Sequence, residues 1–307
     1  MVLCICPNPS IDCYAEMENL EFGVANRIES LKEYPGGKGT HVAMALAEMG
    51  IDVTLFGFWA GASGHWISDE CKKRNVAIQG PEIVGNNRKC YTFKSKNKEL
   101  NATELMEPGP YIKGTEWMLY MEQLERSIEL SDIVSLSGSW PKGASENAAY
   151  QVAEICRKKG KRLILDCSGI QLRNALESKF YALHLNEHES EEIFGSSNID
   201  VAFEQLKDTV ELVALTKGKE GLYLASKAGK IHALKPLDRV ISTVGSGDCL
   251  TAGLIFAVLK NKGPEEIARY GAAFGAANCI TEDLGMLRKE HVADFLPQTI
   301  LSNPSDK

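Results

Sequence analysis

A carboxylate stands where two glycines lead the chain into an apolar run: Val244-Gly245-Ser246-Gly247-Asp248, followed by Cys249 to Leu259. Gly245 and Gly247 permit a sharp turn and a backbone that can approach a ligand with no Cβ in the way. If the apolar run is a helix, its first amides lack internal partners and, with the helix dipole, favour an anion. Asp248 at the same helix mouth adds a base. It could take a proton from a hydroxyl while the amides hold the phosphoryl group that the hydroxyl attacks. It could also merely cap the helix.

A second glycine turn, Gly36-Gly37-Lys38-Gly39-Thr40-His41, feeds another helical pattern in which Ala43, Leu46 and Ala47 share a face. Lys38 supplies a cation for an anionic substrate. The spacing is not that of a Walker A loop, and neither glycine cluster is a dinucleotide fingerprint. Asn8-Pro9-Ser10-Ile11-Asp12 follows a short apolar run, leaving Asp12 able to accept hydrogen bonds from sugar hydroxyls. Asn186 and Glu189 lie about one helical turn apart and suit a magnesium ion that keeps most of its water. Thr216-Lys217-Gly218-Lys219-Glu220-Gly221 reads as a nucleotide-binding turn.

These pieces need a frame. The spacing predicts strands over 133–136, 162–165, 181–185 and 212–215, and helices over 145–159, 170–177, 187–194 and 201–207. This alternation implies a parallel sheet covered by helices on both faces, with the ligand site beyond the carboxyl ends of the strands. Two polar, interrupted segments, about 13–34 and 86–106, break the pattern. Strand-like residues such as Tyr91, Thr92 and Phe93 predict a small β lid whose exposed face a second subunit would cover. The alternative is a pair of long surface loops.

Composition narrows the classes. The chain has 307 residues and a formal net charge of −7, which argues against a nucleic-acid partner. The nine cysteines form no CxxC pair, as expected of reduced thiols in a cytoplasmic protein. Neither a signal peptide nor a membrane span is expected from the N-terminal residues or elsewhere. His184 and His188 flank Asn186 with Glu187 and Glu189, but without a further ligand nearby a zinc site is disfavoured. No G-x-S-x-G elbow exists to suggest a serine hydrolase.

Taken together, NPSID, GGKG, Asn86-Asn87-Arg88, Ser137 to Gly143 (SGSWPKG), Leu165 to Gly169 (LDCSG), NEHE, TKGKEG and VGSGDCLTAG occur in order along nearly the whole chain. In this the chain resembles the ribokinase-like sugar kinases of the phosphofructokinase B family, on the branch of 1-phosphofructokinases and tagatose-6-phosphate kinases. The resemblance implies one α/β domain over 1–307: a ribokinase-like three-layer α/β/α sandwich with a mainly parallel sheet and a small β-sheet lid. It implies transfer of phosphate from ATP, with Mg2+, to a hydroxyl of fructose 1-phosphate, tagatose 6-phosphate or fructose 6-phosphate, and a homodimer through the lid. Asp248 would be the base, with Gly245, Ser246 and Gly247 as the anion hole. Asn186 and Glu189 would organise magnesium through water. Thr216, Gly218 and Gly221 would lie along the nucleotide, with Asn278 near the adenine. Asp12, Gly37, Lys38, Gly39, His41 and Ser139 would face the acceptor sugar. Arg88, joined by Arg27, would grip the phosphate the sugar already carries.

Three departures from the family pattern bear on the sugar. His41 stands where Asn is usual, His184-Leu185-Asn186 replaces Lys-Pro-Asn, and Trp140 replaces a common Leu and could narrow the sugar pocket. A kinase of a neutral sugar or nucleoside, and a non-catalytic sugar-phosphate sensor, are the competing readings. Lys38 and Arg88 argue against the first, and the presence of Asp248 and Glu189 against the second.

Overall fold

Val2–Ile5 is buried at every position and pairs in parallel on both sides, with Val53–Phe56 and Ile133–Ser137. A strand buried on both faces reads as a continuous apolar run, which is why it shows no alternation. Its residues divide between two cores. Val2 and Cys4 join one that includes helices Lys38–Glu48, Ser246–Leu259 and Pro264–Cys279. Leu3 and Ile5 join the other, against Gly114–Leu130, Ala148–Lys158 and Ile199–Leu206. A sheet between two helical layers is the three-layer sandwich expected. The computed structural model describes residues 1–97 and 100–304, so Lys98 and Glu99 of the expected lid segment lie outside the described residues.

Across the main sheet the strands run Ala77–Gln79, Val53–Phe56, Val2–Ile5, Ile133–Ser137, Arg162–Asp166, Phe180–Asn186, Val210–Thr216, Leu222–Ser226, Gly229–Leu234 and Ile300–Ser302. The first seven pair in parallel and the last three add an antiparallel edge. That edge goes beyond the sequence reading, which had no helix-alternating pattern to follow after Leu215. The helix expected over 145–159 begins at Ala148, because the Asn147 amide donates to Ser145 Oγ at 3.2 Å and makes a turn there.

The lid is a separate four-stranded sheet in the order Ser30–Gly36, Ser10–Glu16, Arg88–Lys94, Glu104–Met106. It starts at Ser10 rather than near residue 13, so the NPSID segment itself becomes lid strand. Because side chains alternate along a strand, Ser10, Asp12, Arg88, Cys90, Glu104 and Met106 fall on one face, and all of them line the cleft below. Ala15 and Phe93, on the other face, pack with Met17 and Leu100. No helix among the described residues is long and apolar enough to cross a membrane.

Candidate active site

The cleft between lid and sheet holds about 1000 Å³ and is bordered by three successive strand ends, Asp166, Asn186 and Thr216. Side chains far apart in the chain meet there because each strand delivers its last residue to the same edge.

Gly245 caps helix Ser246–Leu259 in the left-handed conformation, at φ 81°. Glycine adopts this with no steric cost, and the turn brings Asp248 into the helix's first turn, buried but lining the cleft. The Ser246 amide already donates to the Thr243 carbonyl at 3.1 Å. The first-turn amides that a preceding turn cannot accept are therefore those of Gly247 and Asp248. Of the expected anion hole, the Ser246 amide is thus engaged by Thr243, while those of Gly245 and Gly247 have no backbone partner among the described residues.

His41 carries the largest surprise. Its Nδ1 lies 2.7 Å from Asp248 Oδ2, and its Nε2 lies 3.2 Å from Asp12 Oδ2 as an ion-pair contact rather than a well-aligned hydrogen bond. Burial alone would push the imidazole down, but the hydrogen bonds and charges of Asp12 and Asp248 raise it to about 10. For Asp12, burial works upward, yet His41 and the Ser10 hydroxyl, 2.7 Å away, hold its carboxyl below the ordinary value. Both ring nitrogens thus face carboxylates, although Nε2 makes no hydrogen bond among the described residues, and the ring lines the cleft.

Lys38 also departs from expectation. Its Nζ is 2.7 Å from Asp166 Oδ1 and 3.6 Å from Glu189 Oε1, on the side of the sheet's strand ends rather than on an open sugar wall. Burial opposes the charge on Lys38, but Asp166, Glu189 and Asp248 raise its proton affinity above the ordinary value. Asp166 is held well below the usual carboxylate range, against the effect of burial, by Lys38 and His184. His184 Nδ1 sits 3.0 Å from Asp166 Oδ2 and 3.0 Å from Thr251 Oγ1, while Nε2 is 3.3 Å from Thr216 Oγ1. Sequence reasoning assigned no role to Asp166, although it ends its strand in LDCSG as Asn186 ends the next. His184 belongs to this network and not to a zinc site.

Asn186 and Glu189 cap each other's helix start. Asn186 Oδ1 accepts from the Glu189 amide and Glu189 Oε2 from the Asn186 amide, both at 2.9 Å. This leaves Glu189 Oε1 unused by the cap. Among the described residues no group of three or more His, Cys, Asp or Glu could hold a metal. Such a donor set fits an ion that keeps its water and shares phosphate oxygens, rather than one caged by protein.

Thr216, Gly218 and Gly221 line the cleft as expected, beside the apolar Leu222, Leu250 and Ala276. Arg88 lines the opposite end. Its Nε donates to the Asn8 carbonyl at 3.2 Å, and it forms no ion pair among the described residues. Gly37 lines the cleft, but Gly39 does not: a Cβ there would lie 2.6 Å from the Ile5 carbonyl, so Gly39 serves packing against the first strand. Ser139 is exposed and Arg27 sits on an exposed loop, and neither lines the cleft. Asn278 is buried, with Nδ2 donating to the Met286 carbonyl at 2.7 Å, which ties the following loop instead of reaching a nucleotide. Trp140 packs edge-on against Trp117 and Tyr120, outside the cleft, and does not narrow it.

A family model for pfkB family carbohydrate kinases matches residues 3–285. The 1-phosphofructokinase of Bacillus subtilis (strain 168) is 30% identical over 304 residues, which cover 97% of this chain and 98% of that protein. Among solved structures, a possible 1-phosphofructokinase from Thermotoga maritima superposes with a TM-score of 0.87 at 19% identity, covering 98% of each chain. Phosphofructokinase-2 from Escherichia coli in complex with fructose-6-phosphate gives 0.85 at 21% identity, covering 97% of this chain and 98% of that one. At these identities the two structures establish the fold.

Proposed function

The chain belongs to the pfkB family of carbohydrate kinases, and from that premise we propose that it moves the γ-phosphate of ATP to a hydroxyl of a ketohexose phosphate. Fructose 1-phosphate is the first acceptor to test, supported by the Bacillus relative. The observation that carries a phosphorylated acceptor is Arg88, a guanidinium that makes no ion pair among the described residues, on the lid strand lining the cleft that also holds Asp248. A neutral sugar would leave that charge without use, whereas a phosphate can accept two parallel hydrogen bonds from it.

In this reading the acceptor lies in the cleft against Asp12 and Asp248, with its own phosphate toward Arg88. Asp248 accepts the hydroxyl proton as the new oxygen–phosphorus bond forms and the bond to the departing ADP oxygen breaks. The amides of Gly247 and Asp248 hold the transferring group, and Lys38 stabilises the charge that spreads over its oxygens. Thr216, Gly218 and Gly221 seat the nucleotide. Magnesium, held through water by Glu189 and Asn186, would neutralise phosphate charge. The dimer through the lid belongs to the same proposal, supported by Phe22, Leu31 and Leu105, all exposed on or beside the lid. A cytoplasmic setting is supported by nine free cysteines.

The test is ADP release from magnesium-ATP against fructose 1-phosphate, tagatose 6-phosphate, fructose 6-phosphate and their unphosphorylated parents. Turnover confined to the phosphorylated sugars supports the proposal. Preference for an unphosphorylated parent overturns it.

A further inference from the structure

His41 stands between the two carboxylates that matter most to the proposed chemistry. Asp248 comes from a helix start and Asp12 from a lid strand, on separate elements that only the imidazole joins. The ring is also held sterically: a Cβ at Gly285 would lie 2.1 Å from His41 Cδ2, so the 281–287 segment is seated directly on it. Around it, Ser10 donates to Asp12, Arg88, Glu104 and Cys90 lie beyond Asp12, and Lys38 lies beyond Asp248.

We propose that His41 is a positioning residue whose imidazolium clamps Asp12 and Asp248 into one unit, holding the proton acceptor at a set distance from the carboxylate that reads the sugar. The proposal rests on the reading of Asp248 as the proton acceptor. A neutral imidazole has one N–H and would turn a lone pair toward one of the two carboxylates, so only the doubly protonated ring suits both contacts. Its raised proton affinity agrees with this. Because Asp248 Oδ2 is taken by His41, the acceptor hydroxyl must approach Oδ1, which fixes the side from which the sugar enters. An Asn at position 41 cannot bridge in this way, since its single amide group carries no charge and has one donor end.

The test compares His41→Gln and His41→Asn with the unaltered enzyme. Expected is a fall in kcat of about 10- to 100-fold from misplacement of the base, with the KM for ATP within about twofold. Without the cation Asp12 loses the partner that holds its carboxyl low, so the ratio of the His41→Gln acceptor KM to that of the unaltered enzyme, in which titration of the sugar phosphate itself cancels, should climb as pH falls. A merely structural histidine would lower the amount of folded enzyme without this dependence. If either variant fails to fold, a proton–nitrogen correlation spectrum of the unaltered enzyme decides: at about pH 8, one of the six histidines should carry protons on both ring nitrogens. Six neutral rings at that pH, or a His41→Gln enzyme with normal kcat and a flat KM ratio, would overturn the clamp. Asp248→Asn run in parallel separates the two ideas. If it is inactive while His41→Gln is normal, the clamp alone fails, and if it turns over normally the base assignment fails.

Discussion

Asp248 Oδ2 and His41 Nδ1 lie 2.7 Å apart in a buried setting, although 207 positions separate them in the chain. The contact engages one oxygen of the helix-mouth carboxylate and makes no use of the other. A carboxylate that served only as a helix cap would spend its oxygens on first-turn amides, and none of its hydrogen bonds goes there.

Asp248→Asn keeps the shape of the helix mouth and removes the proton acceptor. The expected result is a fall in kcat of ~10²–10⁴-fold with little change in nucleotide affinity. Steady-state kinetics together with ATP titration check it, and near-normal turnover would return Asp248 to a capping role.

Arg88→Ala removes a guanidinium that makes one backbone hydrogen bond, to Asn8. Hydrogen bonds to charged groups contribute on the order of 1.5–3 kcal/mol, so the sugar-phosphate KM should rise about ten- to a hundredfold. The KM for ATP should stay as it was. A change in the ATP value alone would mean that the two ends of the cleft have been assigned the wrong way round.

The His41 clamp has a signature in stability as well as rate. The ring's proton affinity is raised from 6.5 to about 10 on folding. The folded protein therefore holds a proton that the unfolded chain releases within that interval. Stability from the clamp is complete below the lower value and is lost as pH rises through the upper one. Melting temperatures of the unaltered enzyme and His41→Gln should differ most below the lower value of 6.5 and converge as pH rises through about 10. A gap that widens with rising pH would contradict the sign.

Lid dimerisation is checked by light scattering at micromolar concentration. Phe22 is 94% exposed and Leu105 56%, so aspartate at both positions costs little in the folded subunit. The unaltered protein should run as a dimer and the double variant as a monomer. A protein that is already monomeric and fully active before substitution would rule the dimer out.

Much of this architecture was legible in the chain itself. Continuous apolar runs such as Val2–Ile5, and helix patterns ended by Gly160 or Gly195, report burial and local backbone preference, which neighbouring residues determine. Because the alternation also predicts which ends of the strands carry ligands, it places Asn186 and Thr216 at the cleft and Asp248 at a helix mouth.

Contacts between elements were not legible. Gly39 and Asn278 looked like ligand residues by motif, yet one packs on the Ile5 carbonyl and the other holds the Met286 carbonyl. Lys38 and His41 sit three residues apart on one helix and face different partners, Asp166 on the one hand and Asp12 with Asp248 on the other. Sequence pattern sets which residues share a helix face, because that depends on a local repeat. Which carboxylate meets that face depends on how a lid strand, a sheet edge and a second helix converge. The sequence by itself therefore determined the layered α/β frame and the chemistry available to it. Only the tertiary structure decided that the His41 ring would stand between the two carboxylates, since burial opposes its charge and only two carboxylates brought to it from separate elements offset that.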